Sequence, residues 1–278
     1  MFPELIQTKF FTLNTLWFFI ALGIVVSTIV LIKLSIKNGL KLQFLSENSF
    51  KLIVFSIIGA RIFSIIFNYQ IYFSQLSTKS FFQLFYFWDK GLDLWGALLA
   101  FTITFYFLCK KNEDQDFYKW LDVFVPAVII GMALGHIGAF FDGVNYGNET
   151  SLPWGVNFES PAIKYTVPIH PTQIYAFVYS LLIGIGLIFL SKNPKIAALE
   201  KKGLIGILGI TIYQFMRFLE EFVRGDDTFL IFGIRLPQIL ALILSISAGI
   251  FLFLRYNKPA KPNHKSKTRK PWKKSLHS

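Results

Sequence analysis

The sequence predicts an all-α fold, a polytopic membrane bundle of about seven transmembrane helices with its N-terminus outside and its C-terminus in the cytoplasm. Three observations predict it. Hydrophobic residues fill 54% of the 278 positions, with 32 Phe among them, and they are gathered into long runs where a soluble domain would spread them out. Seven of those runs come near the length needed to cross a hydrocarbon core, about 30 Å at ~1.5 Å per residue. The Lys and Arg residues outside the runs fall unequally on the two sides, 20 against 6, and the positive-inside bias puts the richer side in the cytoplasm.

Residues 1–15 are short and mixed in polarity, with Pro3, and suit a half-helix on the outer surface. The first run, Leu16 to Ile32, is apolar throughout and reads as scaffold. It is long enough to stay in the membrane, and Met1 to Phe11 lacks a basic region beyond Lys9, so no cleavable signal peptide is expected. Lys33 to Lys51 reads as a polar, basic loop with room for one interfacial helix. The second run, Leu52 to Phe67, carries Arg61 about 14 Å from its cytoplasmic end at ~1.5 Å per residue. Near mid-membrane a guanidinium needs a partner or water, and an ion pair or a lipid phosphate would serve equally.

Asn68 to Asp93 is an outside loop rich in aromatic residues, a composition suited to the headgroup level. The third run is Leu94 to Leu108, followed by Cys109, the only cysteine, which excludes an internal disulfide. The fourth, Leu121 to Phe141, belongs to the stretch that organises the chain, FVPAVIIGMALGHIGAFFDGVNYG. Gly131 and Gly135 are four apart, the small-residue spacing that lets another backbone approach closely, while His136 and Asp142 need a polar partner inside the bundle. At this point the glycines read equally as plain packing and His136 as a donor to a carbonyl.

Asp142 to Ile169, with Pro153, Trp154, Pro161 and Pro168, has no helical period and is too long for a passive connection, so it reads as a lid or head. It ends in HPTQIY, where Pro171 suits a first helical turn and His170 and Thr172 suit capping. The fifth run is Ile174 to Leu190 and the sixth Gly203 to Leu219, ending in RFLEEFVR. There Arg217, Glu220, Glu221 and Arg224 share one helical face, and the spacing predicts pairs of Arg217 with Glu221 and of Glu220 with Arg224. The seventh run is Leu236 to Leu254.

The formal net charge of +12 owes much to Arg255–Lys274, which holds nine basic residues and no acidic one. The tail, 255–278, reads as disordered and drawn to anionic lipid, and without an aromatic stacking platform it is no nucleic-acid signal. The domain organisation expected is a transmembrane domain over 1–254, with 142–169 as its outside head, and the cytoplasmic tail.

Counted from the cytoplasmic ends of their runs, Arg217 lies at about 21 Å and His136 at about 22 Å. The starts of the third and fifth runs, at Trp95 and His170, face the same side. Polar groups from four stretches thus converge on the outer leaflet, a pattern that points to a site. A metal site built from His136, Asp142 and His170 finds no support in ligand spacing.

Over roughly residues 16 to 245 the chain resembles the prolipoprotein diacylglyceryl transferases. The resemblance rests on GARIFSIIFNY, WDKGLDLWGALLA, VPAVIIGMALGHIGAFFDGVNYG, HPTQIY, YQFMRFLEEFVRGDD and LPQILAL, in that order. HPTQIY is similar to the family's His-Pro-Ser-Gln-Leu-Tyr, and RFLEEFVR to its Arg-Phe-x-x-Glu-Phe-x-Arg. Gly147, His170, Gln173, Tyr175, Arg217, Glu221, Arg224 and Gln238 match the pattern. In the third span, where the family has Phe-His-Gly-Gly, this chain has Leu94, Trp95, Gly96 and Ala97. In the fourth, where it has Gly-Arg-x-Gly-Asn, this chain has Gly135, His136, Ile137, Gly138 and Ala139.

The resemblance implies transfer of diacylglyceryl from phosphatidylglycerol to the lipobox cysteine of an exported prolipoprotein, in a cell membrane, with the site on the extracytoplasmic side and no cofactor or metal. It implies that Arg217 holds the phosphate, with Arg61 and Arg224 as further cations. His136 serves either as a second phosphate ligand or as the base that Trp95 cannot be, and His170 is the other candidate base. Asp142 and Glu221 would orient the cations, and Gly147, Gln173 and Tyr175 complete the substrate-binding set. The replaced signature residues also fit a second reading, a non-catalytic relative that binds lipid or precursor as a membrane adaptor.

Overall fold

A computed structural model describes residues 4–9, 12–67, 69, 73, 92–158, 163–193 and 201–257. Among them are seven helices: α1 (Thr15–Lys37), α2 (Leu42–Phe67), α3 (Leu94–Lys111), α4 (Phe117–Asp142), α5 (Thr172–Ser191), α6 (Leu204–Glu220) and α7 (Leu236–Asn257). Six are long and apolar enough to cross a membrane; α6, with 17 residues, is the shortest and ends in the charged run. Two small hairpins complete the described fold, β1 (Glu4–Gln7) with β2 (Thr12–Asn14), and β3 (Leu230–Ile231) with β4 (Ile234–Arg235).

Successive helices run in opposite directions. At one end Lys41 pairs with Asp114, Lys202 with Asp116, and the Arg255 guanidinium lies 3.8 Å from the Tyr118 ring centre. At the other, the head end, Asn14 Nδ2 donates to Asp142 Oδ1 across 3.2 Å. Helix starts are defined by side-chain caps: Asn14 for α1, Asp93 for α3 and Asp116 for α4 each accept an N–H of the first turn.

α4 is the central post and packs against α1, α5 and α6. Ile129 of α4, Ala176, Tyr179 and Leu187 of α5, and Ile205 and Tyr213 of α6 form one apolar core. Phe44 and Leu52 of α2, Phe105 and Cys109 of α3, and Trp120 of α4 form another, at the basic end. α6 is held against α4 by a buried-end device: the Asp122 carboxylate accepts the Gly203 and Gly206 N–H groups at 2.6 and 2.8 Å, capping the α6 N-terminus.

Several sequence expectations change. Glu4–Gln7 and Thr12–Asn14 pair as antiparallel strands where a half-helix was expected, because so short a stretch cannot support an isolated helix. The Lys33–Lys51 loop is mostly helix: Phe44, Asn48 and Leu52 recur every four residues on one buried face, so α2 begins at Leu42. Arg61 is therefore about 28 Å along its helix and well beyond mid-span, level with the start of α3, where the Asp93 N–H donates to the Ala60 carbonyl. Pro171 is the N-cap of α5, with no side chain capping it. Most of the aromatic stretch 68–93 and all of 258–278 lie outside the described residues.

The two glycines of the fourth run divide in role. A Cβ on Gly131 would stand 2.7 Å from the Gly23 carbonyl oxygen of α1, whereas one on Gly135 would meet nothing within 4 Å. Gly131→Val is expected to destabilise the detergent-purified protein by ~1–3 kcal/mol, as overpacking does, seen as a lowered Tm. Gly135→Ala, measured the same way, is expected to be neutral or to raise Tm, since Ala favours helix by up to ~1 kcal/mol.

Candidate active site

The head end is assembled by backbone pairing before any side chain is placed. Gly147 N–H donates to the His170 carbonyl, His170 N–H to Asn148, Asn148 N–H to Val223 and Gly225 N–H to Tyr146, at 2.8 to 3.1 Å. Three segments, around 147, 170 and 224, thus lie side by side. Gly147 sits where they touch: a Cβ there would be 2.4 Å from the His170 carbonyl oxygen and 2.9 Å from that of Val223. Tyr146, Ile163 and Ile169 give the head a small apolar core of its own.

Against this frame the end of α6 sets a cluster of charges. Arg217 pairs with Glu220 at 2.8 Å and Glu221 at 2.5 Å, and Arg224 reaches Glu220 at 3.4 Å, so both ion pairs predicted from helical spacing are made. Arg224 also binds Asp226 with Nε and one Nη, and donates to Asn145 Oδ1 at 2.9 Å. Arg235, arriving from β4, donates to Glu221 at 2.6 Å and to the Asp226 side chain at 2.9 Å. Tyr179 of α5 donates its hydroxyl hydrogen to Glu220 at 2.7 Å.

Three guanidinium groups and three carboxylates balance to zero, which is how so many charges can be buried together: any one left alone would cost several kcal/mol. Side-chain exposure separates the cations. Arg217 is 22% exposed, Arg235 16% and Arg224 6%. Arg217 is thus the guanidinium best placed to exchange a carboxylate for an incoming anion. Burial raises the Asp226 carboxyl, but hydrogen bonding and charge from Arg224, and charge from Arg235, outweigh it and hold the group below the ordinary carboxylate range. Its stabilising effect is therefore present at neutral pH and is lost as the pH falls through that lowered value.

His136 joins the cluster from α4. The charges of Glu220, Arg217 and Arg224 all bear on its ring, and its Nε2 is buried with no hydrogen-bond partner among the described residues. The remaining expected residues spread around this centre. His170 Nδ1 lies 3.2 Å from the Tyr175 hydroxyl, which accepts the Trp154 indole N–H at 2.8 Å. Gln173 donates to the Val144 carbonyl and Thr172 to that of Asn145, so HPTQIY holds the segment that carries Asn145.

Asp142 accepts a hydrogen bond from Asn14, the N-cap of α1, and so links α1 to α4. Glu221 stands between Arg217 and Arg235 and pairs with both. Arg61 is buried on α2 at the same end of the bundle, and Trp95 is exposed at the start of α3.

Sequence reasoning missed Arg235, Asp226, Asn145 and Tyr179. Arg235 and Glu221 are 14 residues apart and meet through a hairpin, which no helical spacing announces. Tyr179 could have been found, one turn beyond Tyr175 on the same helix.

A family model described as prolipoprotein diacylglyceryl transferase matches residues 3–255. Three relatives are each named phosphatidylglycerol-prolipoprotein diacylglyceryl transferase. That of Finegoldia magna is 30% identical over 255 residues, covering 89% of this chain and 94% of its own. That of Clostridium tetani is 32% identical over 235 residues, 84% of this chain and 89% of its own. A Prochlorococcus marinus protein is 29% identical over 283 residues, 92% and 93% of the two chains. With helices that suit a multi-pass bacterial membrane protein and a match along nearly its whole length, the chain belongs to the prolipoprotein diacylglyceryl transferase family.

Proposed function

We propose that this protein transfers the diacylglyceryl group of phosphatidylglycerol to the thiol of a lipobox cysteine in an exported prolipoprotein. The names of its relatives support the reaction. The assignment of residues is supported by a partly exposed Arg217 in a charge-balanced cluster whose charges act on His136, and by a His136 Nε2 that is buried without a hydrogen-bond partner among the described residues. The positive-inside bias supports a site facing the extracytoplasmic side of the cell membrane.

The reaction asks for a base, a cation for the departing phosphate and shelter from water. A base takes the thiol proton; the sulfur then attacks the glyceryl carbon bonded to phosphate oxygen. The C–S bond forms as the C–O bond breaks, and glycerol phosphate leaves with the electron pair. Arg217 stabilises the charge developing on that phosphate. Arg224, deeper and held by Glu220, Asp226 and Asn145, fixes the carboxylates that aim Arg217, and Arg61 is a further cation at the same end. His136 serves as base through Nε2, a nitrogen with no hydrogen-bond partner among the described residues. His170, engaged by Tyr175, belongs to the wall that positions the substrate, together with Gly147 and Gln173.

Arg217→Ala is expected to lower transfer from phosphatidylglycerol to a lipobox peptide by about 10²- to 10³-fold, the usual loss for one electrostatic stabiliser. Full activity would remove it from the mechanism. The base is identified by a pH profile of the same assay. His136→Ala is expected to abolish the limb on which the rate rises with pH, whereas His170→Ala should lower the rate and keep that limb. The reverse result would exchange the two histidines. Wild-type protein that binds phosphatidylglycerol but never forms the thioether would contradict the enzymatic reading and favour an adaptor.

A further inference from the structure

The connection between α6 and α7 is more than the carrier of Arg235. β3 and β4 pair Leu230 with Arg235 and Ile231 with Ile234, leaving Phe232 and Gly233 as a two-residue turn. Both turn residues have positive φ, 49° for Phe232 and 78° for Gly233. Two-residue hairpin turns of this kind favour Asn, Asp or Gly, and a bulky aromatic residue is a poor choice for the left-handed region. Phe232 is also fully exposed, and Phe229, Leu230 and Ile234 beside it are exposed as well. An aromatic residue that suits neither its backbone conformation nor water suits an apolar or interfacial surrounding.

The hairpin continues surfaces that lipid must cover. On α6 the exposed residues Phe215 and Leu219 lie at i and i+4 on one face of the helix leading to the hairpin, and Phe222, just past its end, is exposed as well. On α7, leading away, Ile243, Ile246 and Ile250 form an exposed stripe. The chain between them begins and ends at a membrane boundary, and because residues 229–234 double back as a hairpin, each three-residue arm reaches roughly 10 Å at most. That reach matches the interfacial layer, a few ångströms to about 10 Å deep.

We propose that Phe229–Ile234 is an interfacial finger whose partner is the lipid of the bilayer itself, with Phe232 inserted at the boundary between headgroups and acyl chains. Its base is locked to the charge cluster, because Arg235 binds both Glu221 and Asp226. The finger thereby ties the height of the cluster to the membrane surface.

The test is a depth measurement on the full chain in vesicles of phosphatidylglycerol and phosphatidylethanolamine. A nitroxide is attached to Phe232→Cys and, separately, to Leu230→Cys; the native Cys109 is buried in the aromatic core. Asn157→Cys, on an exposed stretch of the head, is the aqueous reference. The label at 232 is expected to collide with molecular oxygen several-fold more, relative to a water-soluble nickel chelate, than the label at 157, with 230 changing in the same direction. Ratios at both finger positions equal to that at 157 would place the finger in water and overturn the proposal. Protection from both colliders would also overturn it, showing a protein surface as the occupant, either a second copy or a bound peptide. Because depth is read without turnover, the outcome is independent of the transferase assignment.

Discussion

The structure depends on the burial of three guanidinium groups and three carboxylates at one end of an apolar bundle. Alone, each of these charges would be expelled from such a place; together, Arg217, Arg224, Arg235, Glu220, Glu221 and Asp226 neutralise one another through contacts of 2.5 to 3.4 Å. The balance also sets the cluster apart from inert packing. An incoming phosphate adds negative charge to a set with none to spare, so it must take over a cation from a carboxylate. Arg217, the most exposed of the three, can make that exchange with the smallest disturbance.

Much of the remaining architecture can be understood as support for this cluster. α4 holds α1 through Gly131 and Gly23, caps α6 through Asp122, and carries His136 to the charges at its far end. α5 contributes Tyr179 to Glu220, and its first turn pins residues 144 and 145, which in turn present Asn145 to Arg224. Gly147 lets the head strand pass between His170 and Val223. Backbone pairing of residues around 147, 156, 169 and 224 ties the described parts of this loop to one another and to the end of α6. The site is thus built on helix ends and paired strands, which hold geometry better than free loops.

The helices were legible because hydrophobic length is a strong signal, and the charged face of α6 because its period is local. Arg217 with Glu221 and Glu220 with Arg224 needed only the spacing of one helix. The network beyond them was not legible: Arg235 returns through a hairpin, Asp226 lies in a turn, and Asn145 belongs to another segment. Pairings between distant segments leave no periodic trace. The same limit explains the N-terminal hairpin, where a few residues of mixed polarity pair with each other, and Asp142, whose link to Asn14 spans 128 positions. Gly135 shows a different failure. Its spacing from Gly131 fits close helix packing, but only one of the two faces α1.

The central claim is that the cluster grips the phosphate of one phospholipid through Arg217, with His136 beside it. Native mass spectrometry of purified protein, titrated with phosphatidylglycerol against phosphatidylethanolamine, measures that grip directly. Wild-type protein should retain one phosphatidylglycerol in preference to phosphatidylethanolamine, and Arg217→Gln should lose the preference while remaining folded. Equal retention and equal preference in the two proteins would contradict the account.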